Sequence, residues 1–148
     1  MAAAEAQAAA QHKVIFLIFH ASWCGYCKQL DKFIEAPENK EVIDKYFVVA
    51  HLTILEYGTK GNLNNAGALA VRDAAGGKNT APPFFAFLDP SGALIVNTID
   101  SKGVNIGYPV SPGEIDWFLV MLRKAAPTMA PAEAATLESW LRERGKKS

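Results

Sequence analysis

The sequence has few cysteines, no net charge and no long hydrophobic run. Only two of its 148 residues are cysteines, and its 15 basic and 15 acidic residues cancel. A chain of this length is expected to form one domain, with a hydrophobic core large enough to be stable without disulfide bonds. The balanced charge argues against nucleic-acid binding. The longest apolar run, residues 14–19, is far shorter than the roughly 20 residues of a membrane span, so we expect no spanning helix.

The N-terminus lacks the basic region and the apolar stretch of a signal peptide. Residues 1–11 are almost all alanine. We expect residues 1–12 to form a flexible leader, either a disordered segment or a frayed helix. Small residues are common at signal-cleavage sites, so this segment also resembles what remains after a signal sequence is removed. This interpretation favours an extracytoplasmic compartment over the cytoplasm.

Both cysteines stand in one stretch, WCGYCK, at residues 23–28, between a strand-like apolar run and a helical pattern. At a helix N-terminus, unpaired N–H groups and the positive end of the helix dipole favour an anion, so the pKa of the Cys24 thiol should be lowered. We expect Cys24 to attack a disulfide and Cys27 to resolve the mixed disulfide. Lys28 adds positive charge, while Gly25 lets the backbone turn tightly and keeps the Cys24 sulfur accessible.

A zinc site is the alternative use of a cysteine pair. Structural zinc takes four protein ligands, and the sequence has no second CxxC motif. His20 and His51 would complete such a site only if the fold happened to bring them to the cysteines. We therefore predict no metal and no bound cofactor, with the Cys24–Cys27 disulfide itself as the redox group.

Strands and helices alternate along the rest of the chain. Strands are predicted at residues 14–19, 47–53, 81–88 and 93–99, and helices at residues 24–35, 38–45, 66–75, 112–126 and 131–144. Residues 89–92 read as a type I turn, which makes the last two strands an antiparallel hairpin. Leu69 should face inward from its helix. Ser111 and Glu114 form a capping box, the signature of a helix start.

The last helix carries a narrow apolar stripe of Leu137, Trp140 and Leu141. Such a stripe either folds back on the domain or meets another molecule. We expect it to fold back.

The WCGYCK stretch after a hydrophobic strand resembles the active site of the thioredoxin-like superfamily, and most of all that of bacterial periplasmic thiol:disulfide interchange domains. The element order is also that of the family over roughly residues 14–124. The resemblance implies an α/β, thioredoxin-like fold with a central mixed β-sheet flanked by helices. One domain would span residues 13–126, and residues 127–148 would form an extra C-terminal helical extension.

A second landmark of this family is a cis-proline that packs beside the CxxC motif. APPFFAFLDPSG, at residues 81–92, resembles that element, and the resemblance implies a cis peptide bond at Pro83. Family members usually carry, before this proline, a residue whose N–H binds a substrate peptide, whereas Pro82 has no N–H. Trp23 should shield the thiolate and offer an apolar contact surface, the alternative being plain packing. We expect substrate binding at Trp23, Pro82 and Pro83, and Pro82 puts docking along this edge in doubt.

Many thioredoxins hold a buried aspartate six residues before the first cysteine, as proton acceptor for the resolving thiol. This chain has Ile18 there. Asp31 lies one helical turn after Cys27, where the C-terminal domain of periplasmic electron-transfer reductases carries an acidic residue. We hypothesise that Asp31 tunes Cys27, the alternative being an ordinary surface charge. His20 is a second candidate modulator, and His51 reads as a core or rim residue.

The resemblance implies a thiol:disulfide oxidoreductase, and we expect a disulfide reductase of proteins that cycles Cys24 and Cys27. The Gly25-Tyr26 pair between the cysteines also occurs in periplasmic disulfide isomerases, so an isomerase or oxidase remains an alternative. A non-enzymatic binding module that kept the fold is the other. The expected partners are protein thiols or disulfides and an upstream redox protein, and we expect a monomer.

Overall fold

A computed structural model describes residues 1–147, with side chains through residue 144. Ser148, the end of the expected C-terminal extension, lies outside the described residues. In chain order the elements are α1 (Ala2–Gln11), β1 (Val14–His20), α2 (Gly25–Glu35), α3 (Pro37–Tyr46), β2 (Phe47–Thr53), α4 (Ala68–Ala74), β3 (Phe84–Leu88), β4 (Leu94–Asn97), α5 (Pro112–Ala125) and α6 (Pro131–Lys147). Within residues 1–147, no helix has the length and apolar character to cross a bilayer.

The four strands form one mixed sheet in the order β2-β1-β3-β4. β1 runs parallel to β2 and antiparallel to β3, and β4 completes the hairpin with β3. β1 is an inner strand between β2 and β3, and its residues 15–19 are at most 1% exposed. A continuous apolar strand forms there because both of its faces are covered by helices.

The sheet has a hydrophobic cluster on each face. Alternate β1 side chains divide between them, with Phe16 and Ile18 on one face and Ile15, Leu17 and Phe19 on the other. Helices α2, α3, α5 and α6 cover the first face, and α1 and α4 contribute to the second. This arrangement is the thioredoxin fold with a mixed sheet flanked by helices, as the sequence resemblance implied.

Residues 2–11 form a helix that packs on the sheet, where the sequence had suggested a flexible leader over residues 1–12. Ala8 is fully buried, and Met1 and Ala4 pack against the same cluster as Ile15 and Leu17 of β1. Alanine has the highest helix propensity, and its small side chain lets the helix lie close to the strands. Composition alone indicates flexibility here because the stabilising contacts come from β1 and β2.

The buried face of α4 differs from the one expected. Leu69 is 43% exposed, whereas Ala68, Arg72 and Ala75 are buried. The inner face therefore follows an i, i+4, i+7 spacing that begins one residue before Leu69. The Arg72 guanidinium donates to the carbonyl of Thr80 at 3.1 Å, which makes its burial tolerable. Periodicity misplaced the face because its most buried large side chain is charged.

The C-terminal helix α6 packs on the domain, as expected. Leu137 and Leu141 are at most 1% exposed and belong to the same cluster as Phe33 and Phe118. The Trp140 ring lies 5.5 Å from that of Phe33 in α2. The extra helix therefore packs against α2, the helix that begins within the CxxC motif.

Glu133, near the start of α6, ties this helix to α3 and should make folding sensitive to acid. Its carboxylate accepts hydrogen bonds from the Tyr46 hydroxyl, the Ala130 N–H and the Lys45 ammonium. These bonds lower the pKa of Glu133 from 4.5 to about 2, with the Tyr46 bond as the largest cause. Because the folded pKa is depressed, the stabilisation is complete above pH 4.5 and is lost as the pH falls towards 2.

We expect the free energy of unfolding of the wild type to fall more steeply than that of Glu133→Gln between about pH 5 and about pH 3. Denaturant titrations of both proteins across this range measure the difference. If the unfolding free energies of the two proteins fell in parallel with pH, protonation of the Glu133 carboxylate would not be what destabilises the fold in acid.

Candidate active site

Cys24 and Cys27 form a disulfide at the start of α2, with 5.2 Å between their Cα atoms. Cys24 is the N-cap residue, with an extended backbone, and its Sγ accepts a hydrogen bond from the Cys27 N–H at 3.1 Å. A main-chain donor of the first helical turn therefore points at the Cys24 sulfur. This is the position at which the helix terminus stabilises negative charge best.

Both cysteines are buried, at 5% and 3% exposure, and form a small cluster with Ala21. The two exposures are nearly equal, so what distinguishes Cys24 from Cys27 is its N-cap position. Gly25 has no positive φ, and a Cβ there would meet nothing within 4 Å. The tight turn expected at Gly25 is absent, because the chain turns before the helix and Gly25 is already its first residue.

The loop before Cys24 is anchored to the segment after β2. The Glu56 carboxylate is only 5% exposed and accepts hydrogen bonds from the Ser22 N–H at 2.9 Å and the Ser22 hydroxyl at 2.7 Å. These two bonds hold the pKa of Glu56 below its ordinary value. Asn64 in turn bonds both main-chain groups of Glu56. The sequence did not indicate this contact, since 34 residues separate Ser22 from Glu56 and no local motif joins them.

Exposed aromatic side chains flank the disulfide. Trp23 is 52% and Tyr26 is 60% exposed, large fractions for aromatic residues. The Trp23 indole N–H donates to the Leu55 carbonyl at 2.8 Å, and its ring stacks on Tyr57 with centroids 6.4 Å apart. The Tyr26 ring stacks on Tyr108 at 6.3 Å. The buried cysteines are therefore flanked along the chain by exposed aromatic side chains of the kind that contact partner proteins.

The Pro82–Pro83 peptide bond is cis, as the resemblance implied. Pro82 and Pro83 line a cavity together with Tyr26, so the structure brings these sequence-predicted residues to one place. Gly107 passes close by with a φ of 58°, and a Cβ there would lie 3.6 Å from the Pro83 carbonyl oxygen.

Asp31 lies beside two histidines on the edge of the sheet. Its Oδ1 is 3.4 Å from the Nε2 of His51, and the His51 and His20 rings are 4.9 Å apart. Burial, followed by the nearby His51, lowers the pKa of His20. His20 Nε2 also lies 3.1 Å from the Thr53 hydroxyl. His51 proves to be an exposed rim residue, and Asp31 has a polar partner that the sequence did not indicate.

The position of the family's buried aspartate is apolar here. Ile18 is 1% exposed and packs in the core cluster beneath α2. Lys28 lies on the exposed side of α2, and its main-chain N–H reaches the Cys24 carbonyl at 3.4 Å. Across residues 1–147, no cluster of three or more His, Cys, Asp and Glu side chains has the arrangement of a metal site.

A family model described as thioredoxin-like matches residues 1–90, which is more than half of the chain. No curated protein matches the sequence.

Several solved structures are similar in fold. A disulphide isomerase from Xylella fastidiosa Temecula1 has a TM-score of 0.55 at 19% identity, with 96% of this chain and 86% of that one covered. A DsbH oxidoreductase has a TM-score of 0.54 at 20% identity, with 84% and 80% covered. A thioredoxin-fold protein from Helicobacter pylori has a TM-score of 0.50 at 18% identity, with 92% and 86% covered. At these identities the likeness concerns the fold, and together with the family match it shows that the chain belongs to the thioredoxin-like family.

Proposed function

We propose that this protein is a thiol:disulfide oxidoreductase that reduces protein disulfides. The observation that carries the proposal is the Cys24 sulfur, which caps α2 and accepts the Cys27 N–H while bonded to Cys27. In the reduced protein the same N–H and the helix dipole would stabilise a Cys24 thiolate. The thiolate is the attacking species in disulfide exchange.

The proposed cycle starts from the dithiol. The Cys24 thiolate attacks one sulfur of a substrate disulfide, so that a Cys24–substrate bond forms and the substrate bond breaks. The leaving substrate thiolate takes up a proton. Cys27 then loses its proton and attacks the Cys24 sulfur, which forms the observed Cys24–Cys27 disulfide and releases the second substrate thiol. Two electrons and two protons pass to the substrate, and an upstream dithiol protein restores the starting state by the same exchange in reverse.

An isomerase or oxidase is the second candidate, supported by the Gly25-Tyr26 pair and by the similar structure named a disulphide isomerase. The reduction potential separates these functions. Equilibration of the Cys24–Cys27 pair in dithiothreitol or glutathione buffers should give a value near about −270 mV for a reductase, whereas a value above about −180 mV would favour the second candidate. A pair that does not cycle would leave the binding module as the function.

We also propose that Asp31 tunes the resolving thiol, because its carboxylate lies one helical turn from Cys27. Replacing Asp31 with asparagine removes a negative charge that disfavours a second anion nearby. We expect the pKa of the Cys27 thiol to fall by a few tenths to about one unit, since both Asp31 and its surroundings are partly exposed to solvent. The pH dependence of alkylation measures this pKa in a Cys24→Ser background.

Glu35→Gln is the matched control, since it removes a carboxylate from the same helix one turn further away. An equal Cys27 pKa in the Asp31→Asn and Glu35→Gln variants would leave Asp31 as an ordinary surface charge.

For the compartment, we propose an extracytoplasmic location, the bacterial periplasm. The support is the resemblance of WCGYCK and of the acidic Asp31 to periplasmic interchange domains. The monomeric state expected from the sequence stays a prediction.

A further inference from the structure

A small cavity is lined in part by Tyr26, the residue before Cys27, and bears on substrate choice, provided that the proposed function holds. It has a volume of about 250 Å³ and lies between Tyr26, the Pro82–Pro83 pair, Ile106, Tyr108 and Val110. Sites for small molecules usually measure about 300–1,000 Å³, so this cavity suits a single large side chain better than a metabolite. Because Tyr26 stands between the two cysteines in the chain, any side chain in the cavity belongs to a residue near the reacting sulfur of the substrate.

Main-chain pairing with a substrate is restricted along the rim of this cavity. Pro82 and Pro83 have no N–H to donate. The Asn105 side-chain amide donates to the Ala81 carbonyl at 3.1 Å and also approaches the Pro83 carbonyl at 3.4 Å. An extended peptide that docks as an added strand needs a row of free donors and acceptors. Residues 81–83 offer such a peptide few of them, so the binding energy has to come from side chains.

The cavity presents aromatic and aliphatic surface. Tyr26 and Tyr108 stack with an interplanar angle of 22°, and Tyr108 is only 7% exposed. Burial raises the pKa of Tyr108, so its ring is neutral. The one carboxylate on the lining, that of Glu114, accepts the N–H groups of Val110 and Ser111 at 3.0 Å each. A charged substrate side chain would lose its water against this mostly apolar surface, which disfavours it relative to an aromatic side chain.

We propose that this cavity receives an aromatic side chain next to the reactive cysteine of the substrate, and that the protein selects disulfides flanked by phenylalanine or tyrosine. The guest ring extends the Tyr26–Tyr108 stack and packs on the proline rings. Offset stacking favours an aromatic ring over an aliphatic side chain of similar area. Side-chain capture takes the place of the main-chain bond that Pro82 cannot donate.

The test uses the full-length reduced protein and short peptides that carry one cysteine as a mixed disulfide with 5-thio-2-nitrobenzoate. Attack by Cys24 on the peptide sulfur releases the coloured thiol, and stopped-flow absorbance gives the rate constant. The peptides differ only in the residue on either side of cysteine, which is phenylalanine, leucine, lysine or alanine. We expect the best phenylalanine peptide to react about tenfold faster than its alanine counterpart, with leucine between them and lysine no faster than alanine.

Rates for phenylalanine and alanine peptides within twofold of each other would overturn the cavity proposal while leaving the oxidoreductase intact. Failure of every peptide to react would instead contradict the proposed function. The two hypotheses therefore fail in different ways.

Variants locate the effect. Tyr26→Ser should bring the phenylalanine-to-alanine ratio close to one, and it leaves the core intact because Tyr26 is largely exposed. Tyr57→Ser is the matched control for this ratio, since Tyr57 is 67% exposed against 60% for Tyr26 and does not line the cavity. Pro82→Ala restores an N–H, so the alanine peptide should react faster and the ratio should narrow. If the phenylalanine-to-alanine rate ratio kept its wild-type value in Tyr26→Ser and Pro82→Ala as well as in Tyr57→Ser, the preference for phenylalanine would arise outside this cavity.

Discussion

The Cys24→Ser variant is expected to lose disulfide reduction by roughly 10³-fold or more, because serine supplies no thiolate and the Cys24 sulfur is the group that α2 stabilises. Reduction of the interchain disulfides of insulin, with dithiothreitol as electron donor, measures the loss. The comparison should be made with the background reaction of dithiothreitol alone.

Cys27→Ser is the matched control for this prediction. It retains the attacking sulfur and lacks the resolving one, so a covalent Cys24–substrate disulfide should accumulate. Non-reducing electrophoresis and mass spectrometry detect this species. If a covalent protein–substrate disulfide accumulated in Cys24→Ser and not in Cys27→Ser, Cys27 would be the attacking residue and Cys24 the resolving one. Equal turnover by the wild type and Cys24→Ser would remove the basis for an oxidoreductase.

The Leu137→Ala variant is expected to lose about 2–5 kcal/mol of unfolding free energy, the usual cost of emptying a fully buried leucine site. Leu137 is 0% exposed and belongs to the cluster that also holds Phe33 of α2. The prediction tests whether α6 is an integral part of the domain. Denaturant titration monitored by tryptophan fluorescence gives the two free energies.

Ser139→Ala provides the control on the same helix, since Ser139 is exposed and its replacement should change stability by no more than about 0.5 kcal/mol. If Leu137→Ala were as stable as Ser139→Ala, α6 would not be docked in solution. The C-terminal stripe would then be available to another molecule, which is the alternative considered from the sequence.

The sequence indicated both the role of Cys24 and the burial of Leu137, but it did not identify the residues that Leu137 contacts. The role of Cys24 was predicted from sequence because its cause is local: a cysteine that follows a buried strand and starts a helix meets the free N–H groups of that helix. The burial of Leu137 was also indicated by sequence, as part of a stripe at helical spacing. The stripe did not say which elements it would cover. Its contact with Phe33 depends on how α2 and α6 pack.

The errors have physical causes too. The alanine-rich start looked flexible because alanine offers little apolar area, yet Ala8 is buried where helix α1 lies close to the sheet. The inner face of α4 was misplaced because Arg72 is buried with its charge bonded to the Thr80 carbonyl. In both places the outcome depended on packing against distant segments, which the local sequence does not reveal.

The sequence by itself determined the position of the cysteine pair at a strand-to-helix turn, the capped helix α5 and the family. All of these follow from short motifs and periodicity, which act between neighbouring residues. Only the tertiary structure decided that Glu56 anchors Ser22 and that Tyr26 and Tyr108 enclose a cavity with Pro82 and Pro83. These contacts join segments far apart in the chain, and they depend on sheet register and helix packing, which no local pattern encodes.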